Sequence, residues 1–345
     1  MRELLDIRSM TSHEVEELVL SLGQPKYRAA QIYSWVAKGA ASFDEMSNVP
    51  TVVREKLKEL CRLSPLKVLE RQKSGDGTVK YLFELYDGNT IESVLMRYEH
   101  GTTLCVSSQV GCRMGCSFCA STVGGLVRNL SAGEMLEQVQ AAAKDSGERV
   151  DGLVLMGMGE PLDNYDNVIK FLHLVNDSKG CGIGFRHISL STCGIVPMID
   201  KLAEEGLPIT LSISLHAPTD AVRASMMPVT RKWSVGEVVA AAARYEKRTG
   251  RKVYFEYTMV AGVNDSREQA QQLAALLNGM LCHVNLIPLN PVQGKENVAS
   301  DRKRIYAFSD TLTKNKISST VRRRLGTDID AACGQLRRRR MTENS

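Results

Sequence analysis

The hydrophobic pattern of the first 65 residues is helical. Apolar side chains recur there every three to four positions in three stretches, which is typical of helices that bury one face. The pattern predicts one helix that follows a cap at Ser12, a second over residues 27–38 and a third over residues 51–60. We therefore expect residues 1–65 to form a small helical accessory domain.

A strand pattern replaces the helical one after residue 65. Two strand-like runs, Lys80–Tyr86 and Thr90–Arg97, flank Asp87-Gly88-Asn89, and an Asp-Gly pair between such runs is a hairpin signal. Residues 66–101 are therefore predicted to form a β-hairpin extension between the helical domain and the rest of the chain.

From residue 102 onward, short apolar runs alternate with helical patterns. The runs are Leu104–Ser108, Leu153–Met156, Ile188–Ser191, Ile209–Leu215, Val253–Thr258 and His283–Ile287, and the helical patterns lie near residues 131–144, 166–177, 197–205, 235–249, 266–278 and 301–315. Strands that alternate with helices form parallel sheets with helical crossovers. The six units over residues 102–320 predict an α/β fold, a partial (β/α)6 barrel related to the TIM barrel, and residues 321–345 follow as a C-terminal segment.

Composition is that of an ordinary globular protein, with 43% hydrophobic and 24% charged residues. No apolar run approaches the ~20 residues that span a membrane, and no apolar signal segment opens the chain, so we expect a cytoplasmic protein with reduced cysteines and no membrane partner. The net charge of +5 is mild, but arginines cluster at residues 322–324 and 337–340. Such clusters attract phosphate backbones, although a solvated tail without a partner is almost equally compatible with the pattern.

Three of the nine cysteines, Cys112, Cys116 and Cys119, have the spacing CxxxCxxC. Four thiolates would complete the protein shell of a cubane iron–sulfur cluster, so three leave one iron open to a small molecule. The spacing is the signature of radical S-adenosylmethionine (SAM) enzymes, in which that iron binds the amino and carboxylate groups of SAM. A zinc site and plain buried thiols are the alternatives, but neither a second cysteine pair nor a nearby histidine supplies a fourth zinc ligand.

Small and polar residues follow the predicted strands at the ends where a parallel barrel carries its chemistry. Gly157 and Gly159 let the backbone approach a ligand closely, and Glu160 can accept a hydrogen bond from the ammonium group of SAM. The other candidate SAM-binding residues are Ser191, Ser214, Leu215, His216 and Asn290. Each alone is more typical of a structural role, but together, beside the three-cysteine loop, they indicate a binding site.

Two further cysteines are candidates for chemistry. Cys105 lies in the first barrel strand and Cys333 lies near the C-terminal arginines. A buried cysteine is usually a small hydrophobic residue, which is our interpretation of Cys61, Cys181, Cys193 and Cys282. Cys333 stands between small residues in a loop-like segment, so a nucleophilic thiol is the alternative there.

Together these features resemble the RlmN-type adenine-C2 RNA methyltransferases, which are radical SAM enzymes. The resemblance is carried by the three cluster cysteines and by residues 104–109, 156–161, 215–218, 262–265 and 330–335, and it extends over nearly the whole chain. It implies a [4Fe–4S] cluster on Cys112, Cys116 and Cys119, SAM as cofactor and a radical SAM barrel as the fold.

The resemblance also implies roles for three residues. Cys333 takes a methyl group from one SAM, and a 5′-deoxyadenosyl radical from a second SAM removes a hydrogen atom from that methyl before it is joined to adenine. Cys105 then releases the product by forming a disulfide with Cys333. Glu92 takes the proton from C2, whereas without the resemblance we would interpret Glu92 as a solvent-facing strand carboxylate.

The implied substrates are adenosine 2503 of 23S rRNA and adenosine 37 of tRNAs. The N-terminal helices and the arginine clusters are expected to bind the RNA, a flavodoxin-type protein to donate electrons, and the chain to act as a monomer. Two alternatives stay open. One is the sister group that methylates C8 of the same rRNA adenosine, although residues 285–288 and 159–161 resemble the C2 group more closely. The other is an RNA-binding protein with a structural metal centre.

Overall fold

The structure is a computed structural model that describes residues 4–63, 65–290, 297–323, 325–326, 328–329 and 335–337. Its α-helices are α1 (Ser12–Ser21), α2 (Tyr27–Ala37), α3 (Thr51–Leu60), α4 (Ala132–Ser146), α5 (Tyr165–Asn176), α6 (Val196–Glu204), α7 (Asp220–Met226), α8 (Val235–Thr249), α9 (Arg267–Leu276) and α10 (Arg302–Lys314). Its strands are β1 (Leu5–Asp6), β2 (Cys61–Arg62), β3 (Lys67–Lys73), β4 (Val79–Glu84), β5 (Thr90–Tyr98), β6 (Gly101–Cys105), β7 (Gln109–Gly111), β8 (Leu126–Asn129), β9 (Gly152–Leu155), β10 (Ile188–Thr192), β11 (Thr210–Ser214), β12 (Val253–Met259), β13 (Cys282–Pro288) and β14 (Ser319–Val321). No helix in these ranges is long and apolar enough to cross a membrane.

The N-terminal helices form where the sequence predicts them, but the predicted cap at Ser12 is wrong. Thr11 caps α1: its Oγ1 accepts a hydrogen bond from the Glu14 amide at 3.2 Å, and a Glu14 carboxylate oxygen accepts one from the Thr11 amide at 2.6 Å. This reciprocal capping box requires a glutamate three residues after the cap, and Thr11 satisfies that spacing whereas Ser12 does not.

The helical region has its own core and is fastened to the barrel by polar contacts. Its buried residues include Ile7, Val19 and Ile32. Arg8, which is buried, forms an ion pair with Glu137 of α4 at 2.7 Å, and burial raises the pKa of that carboxyl to about 7. These contacts fix the helical region against one flank of the barrel.

A single ten-stranded sheet runs through the rest of the described chain, in the order β14-β13-β12-β11-β10-β9-β6-β5-β4-β3. Strands β6 and β9–β14 pair in parallel, whereas β3–β6 pair antiparallel. The predicted α/β barrel fold is confirmed. The hairpin strands β4 and β5 continue the barrel sheet, because Val94 of β5 pairs directly with Cys105 of β6.

Alternation along the parallel strands separates the core from the inner face of the barrel. In β12, Phe255 and Tyr257 are buried in the main hydrophobic core, whereas Glu256 and Thr258 line a cavity on the opposite face of the sheet. Successive strand residues point to opposite faces, so each polar residue in this alternation is turned toward the barrel interior. The polar inner face positions the site.

Candidate active site

One cavity of about 500 Å³ collects most of the predicted site residues at the ends of the parallel strands. The predicted residues that line it are Cys105, Cys112, Cys116, Cys119, Gly159, Glu160, Ser191, Ser214, His216 and Asn290. Leu215 and Glu92 are buried but do not line it. Cys333 lies outside the described residues, as do Arg324 and residues 338–340. The predicted clustering at strand ends is therefore observed for ten of the thirteen candidates.

The three-cysteine loop is closed at its base by an antiparallel ribbon of β7 and β8. The Cys112 amide donates to the Gly125 carbonyl at 3.0 Å, and the Ser117 amide donates to the Met226 carbonyl at 2.9 Å, so both ends of the loop are anchored. Gly111 precedes the first cysteine with a φ of +80°, a backbone conformation that favours glycine.

The donor set fits an iron–sulfur cluster. Cys112 and Cys116 are buried, Cys119 is half-buried, and all three line the same cavity. Burial raises the pKa of the Cys112 thiol to about 12 and also raises the pKa of Cys116, so bound iron would be needed to hold both sulfurs as thiolates. Among the described residues, no three or more His, Cys, Asp or Glu converge as they would around a single metal ion. A cubane differs in that each thiolate binds its own iron.

The glycines after β9 are required by close packing. A Cβ on Gly159, whose φ is +104°, would lie 2.6 Å from the Gln109 Cβ, and a Cβ on Gly157 would lie 2.7 Å from the Val106 carbonyl oxygen. Close packing of the backbone is therefore enough to explain why glycine occupies both positions. Both residues also line the cavity, so they are placed where they can contact a ligand, and that contact stays a prediction.

Glu160 links the segments that follow β9 and β10. Its carboxylate accepts hydrogen bonds from the backbone amides of Leu162 at 3.1 Å and Cys193 at 2.7 Å. Burial raises the pKa of Glu160, while these amides favour its charged form. The carboxylate is held rigidly at the cavity wall, where an ammonium group of a ligand could reach it.

His216 is held as a neutral hydrogen-bond donor. Its Nδ1 accepts from the Thr258 amide at 2.9 Å, and burial lowers its pKa to about 3. A neutral imidazole whose Nδ1 accepts carries its proton on Nε2. The residue has a φ of +58°, which is uncommon for a side chain with a Cβ, and the Asn264 amide donates to its carbonyl at 2.7 Å. His216 therefore offers an Nε2–H donor at the cavity.

Two residues that the sequence analysis did not single out support the site. Arg223 is fully buried and its guanidinium donates to the carbonyls of Leu215 at 3.0 Å, Cys193 at 2.6 Å and Ser214 at 3.1 Å. It therefore satisfies the backbone where β10 and β11 end. Nothing in the sequence marks it, since an arginine in a helix usually faces solvent.

Glu256 is the second such residue, and a signal for it existed. It is the only charged residue of β12, whose other residues are apolar or aromatic except for Thr258, and it lines the cavity. Its Oε2 accepts a hydrogen bond from the Asn285 side chain at 2.8 Å, and burial raises its pKa. An acid inside a predicted barrel strand is a reason to expect a functional inner face.

Cys105 and Glu92 lie on the same face of the sheet. Cys105 packs with Val94 and Met96, and Glu92 stands two residues before Val94 on β5, so both side chains point inward. The interpretation of Glu92 as solvent-facing is wrong: it is 3% exposed, and Oε2 lies 2.8 Å from Lys80 Nζ. The alternation of β5 does not reveal this, because both faces of that strand are buried.

Comparison with known proteins agrees with this geometry. Residues 106–274 match the radical SAM superfamily, and residues 5–63 match the ribosomal RNA large subunit methyltransferase N-terminal domain. A probable dual-specificity RNA methyltransferase RlmN of Desulforamulus reducens is 50% identical over 342 residues, 99% of this chain and 98% of the relative. The chain belongs to the RlmN-type RNA methyltransferases of the radical SAM superfamily.

Other RlmN relatives and a solved structure extend the match. The probable dual-specificity RNA methyltransferase RlmN of Symbiobacterium thermophilum is 52% identical over 335 residues, covering 96% of this chain and 90% of that protein. The crystal structure of a radical SAM methyltransferase from Sphaerobacter thermophilus superposes with a TM-score of 0.91 at 45% identity, over 96% of this chain and 98% of that one. Membership in the RlmN family makes this chain a SAM-dependent RNA methyltransferase with a [4Fe–4S] cluster and SAM as cofactors.

Proposed function

We propose that this chain methylates C2 of adenosine 2503 in 23S rRNA and C2 of adenosine 37 in tRNAs. The relatives' description as dual-specificity RNA methyltransferases supports more than one RNA substrate. The observation that carries the proposal is that a single cavity holds the three CxxxCxxC cysteines together with Cys105. A cluster site and a further thiol in one cavity suit a methyl transfer that ordinary displacement cannot achieve.

The chemistry of adenine explains why a radical is needed. C2 is electron-poor and has no lone pair with which to attack a sulfonium methyl group. When bound, the cluster and SAM supply a carbon-centred radical with one electron from a flavodoxin-type donor. The residues of this chain then have to hold the cofactors, present the methyl group and remove a proton.

Cofactor binding is assigned to the cavity wall. Cys112, Cys116 and Cys119 would ligate iron, and Glu160 would accept from the ammonium group of SAM. The remaining assigned contacts are Gly159, Ser191, Ser214, Leu215, His216 and Asn290. Because Leu215 has no exposed side chain and its amide already donates to the Glu256 carbonyl at 3.1 Å, its contact with SAM would have to use the second lone pair of its carbonyl oxygen, which also accepts from Arg223 at 3.0 Å.

Methyl transfer is assigned to Cys333, Cys105 and Glu92. The Cys333 sulfur would carry the methyl carbon and form a bond to C2 through it. The proton on C2 would pass to a Glu92 oxygen while the C–H electron pair stays with the base, and the one electron left in excess after radical addition would return to the bound cluster. Cys105, after losing its proton, would then attack the Cys333 sulfur, so that an S–S bond forms and the S–C bond breaks with its electron pair going to the methylene carbon, which takes a proton to become the methyl group.

RNA is proposed to approach over the cavity mouth. Half-buried Arg322 and exposed Arg323 line the cavity, and guanidinium groups at such a position can bind phosphates. The target adenine would have to leave its stack, which costs a few kcal/mol that phosphate contacts offset. Ribosomal and transfer RNA as substrates also support a cytoplasmic location.

The test is mass spectrometry of nucleosides from RNA treated with the reconstituted, reduced protein and SAM. Fragments that contain adenosine 2503 or adenosine 37 are expected to yield 2-methyladenosine. A product that is entirely 8-methyladenosine would assign the chain to the C8 sister activity instead. RNA binding without methylation and without 5′-deoxyadenosine would favour a structural metal centre.

A further inference from the structure

Two opposite charges are buried together on the face of the sheet that carries Cys105, with Val94 between Lys80 and Cys105. Lys80 is 0% exposed, Glu92 is 3% exposed, and Lys80 Nζ lies 2.8 Å from Glu92 Oε2. In the register of β4 and β5, Lys80 is opposite Val94 and Leu82 is opposite Glu92, so Lys80 and Glu92 share one face of the sheet. Val94 is in turn opposite Cys105, which places all three side chains on the inner face.

Stability of the fold does not account for this pair. Removing an ammonium and a carboxylate from water costs several kcal/mol per ion, and replacing such a pair with apolar residues is often neutral or stabilising. The same sheet contains an ordinary pair for comparison, Lys67 with Glu84 at 3.4 Å, whose side chains are 72% and 35% exposed. A charged pair kept in the interior therefore indicates a requirement other than folding.

The Glu92 carboxylate is fixed from more than one direction. Oε1 accepts a hydrogen bond from the Arg337 amide at 2.6 Å, and the Glu92 carbonyl accepts one from the Ser107 hydroxyl at 2.6 Å. Arg337 follows Cys333 by four positions in the sequence. Lys80 and the segment after Cys333 thus meet at the Glu92 carboxylate, and Ser107 holds the backbone of the same residue.

We propose that Lys80 is a positioning residue for Glu92, an inference that rests on the proposed function. Its ammonium binds Oε2 and balances the carboxylate charge, so that the carboxylate stays on the inner face near Cys105. In the step that it serves, the C2–H bond breaks, its electron pair remains with the base and the proton moves to a Glu92 oxygen. Lys80 keeps its own protons throughout.

The experiment compares Lys80→Met, Lys80→Arg and Glu92→Gln, with Lys67→Met as the matched control in the same sheet. Removing the ammonium is expected to slow RNA methylation by about 10- to 100-fold, part of the ~10²–10⁴-fold that a positioned acid or base contributes. Iron content and 5′-deoxyadenosine formation should match wild type, while an RNA-linked protein band accumulates on denaturing gels, as it should with Glu92→Gln. Lys80→Arg should restore part of the rate, and Lys67→Met should have no effect.

The double variant Lys80→Met/Glu92→Gln decides between positioning and general destabilisation. It removes both charges of the pair together, so it avoids the uncompensated carboxylate that Lys80→Met alone would leave. If Lys80 acts through Glu92, the double variant methylates no more slowly than Glu92→Gln alone. A multiplicative further loss, or wild-type methylation by Lys80→Met, overturns the inference. Absence of 2-methyladenosine from the wild-type protein would instead refute the proposed function itself.

Discussion

The ring of Phe118 meets the ring of His216 edge to face, with centroids 4.9 Å apart. Phe118 lies in the loop of the three cysteines, and His216 lies two residues after the end of β11 at Ser214. The contact therefore joins the three-cysteine loop directly to the segment that follows β11. A change in the protonation of His216 should therefore affect the three-cysteine loop as well as the segment after β11.

The neutral state of His216 predicts a pH dependence of stability. Its folded pKa of about 3 lies below its ordinary value of 6.5, so the unfolded chain binds a proton between these values that the folded chain does not. The free energy of unfolding of the iron-free protein should therefore fall by up to ~1.4 kcal/mol per unit as the pH drops below 6.5. Above that pH the group contributes no slope.

Urea denaturation of wild type and His216→Phe between pH 5 and pH 8 measures this effect, with exposed His13→Phe as the control. The difference in unfolding free energy between wild type and His216→Phe should be constant at high pH. Below pH 6.5 the wild type should lose stability relative to the variant. A difference that stays level across the whole range would show that His216 titrates in the folded state.

Arg223 is predicted to hold the strand ends in place. Arg223→Met leaves three carbonyl oxygens, those of Leu215, Cys193 and Ser214, without this donor. We expect a loss of about 3 kcal/mol in the free energy of unfolding, since each buried acceptor left unsatisfied costs ~1–3 kcal/mol. Arg244→Met, which removes an exposed ion pair with Asp200, should cost under about 1 kcal/mol in the same denaturation assay. Equal losses would contradict the role of Arg223.

Cys105 is predicted to resolve a covalent intermediate. Cys105→Ala should accumulate protein linked to RNA, visible on denaturing gels, because the S–C bond to the base is no longer displaced. Cys333→Ala should form no linked species and no product while still assembling the cluster, because the variant has no sulfur to carry the methyl and the position does not ligate iron. Cys282→Ala, at the opposite end of the barrel, is the control and should behave as wild type. Normal turnover by Cys105→Ala would refute the assignment.

Arg322 and Arg323 are predicted to bind RNA phosphates at the cavity mouth. Replacing either with alanine should weaken RNA binding and reduce the slope of log K against log salt by ~1 for each phosphate that the variant no longer binds. Fluorescence anisotropy with a labelled RNA hairpin over a salt series measures this slope. Arg248→Ala, at the end of α8 away from the cavity, is the control and should leave the slope unchanged. An unchanged slope for Arg323→Ala would contradict the prediction and show that this side chain faces only solvent.

The residues that the sequence could predict are those marked by local chemistry. The spacing of Cys112, Cys116 and Cys119 and the glycines after β9 are short-range patterns whose meaning depends on few neighbours. The cap at Thr11 could also have been predicted from the sequence, because Glu14 stands at capping-box spacing. Strand β3 could not be predicted in this way, since most of its residues are polar and both of its faces are partly exposed, so no alternation marks it.

Long-range pairing accounts for what the sequence could not show. Lys80 and Glu92 are twelve positions apart and meet only because β4 and β5 pair in one register, with Lys80 opposite Val94. Arg223 becomes a structural residue only when α7 packs under the ends of β10 and β11. The sequence does not show which charged side chains are buried, because their burial depends on partners that only the fold brings together.

The most direct measurement is the electron paramagnetic resonance spectrum of the anaerobically reconstituted, reduced protein before and after SAM is added. An iron that lacks a protein ligand should bind SAM and change the spectrum, and the cluster signal should be lost in Cys116→Ala. A spectrum that SAM leaves unchanged, or an iron-free protein that still methylates RNA, would contradict the assignment of Cys112, Cys116 and Cys119 as the ligands of an open cluster.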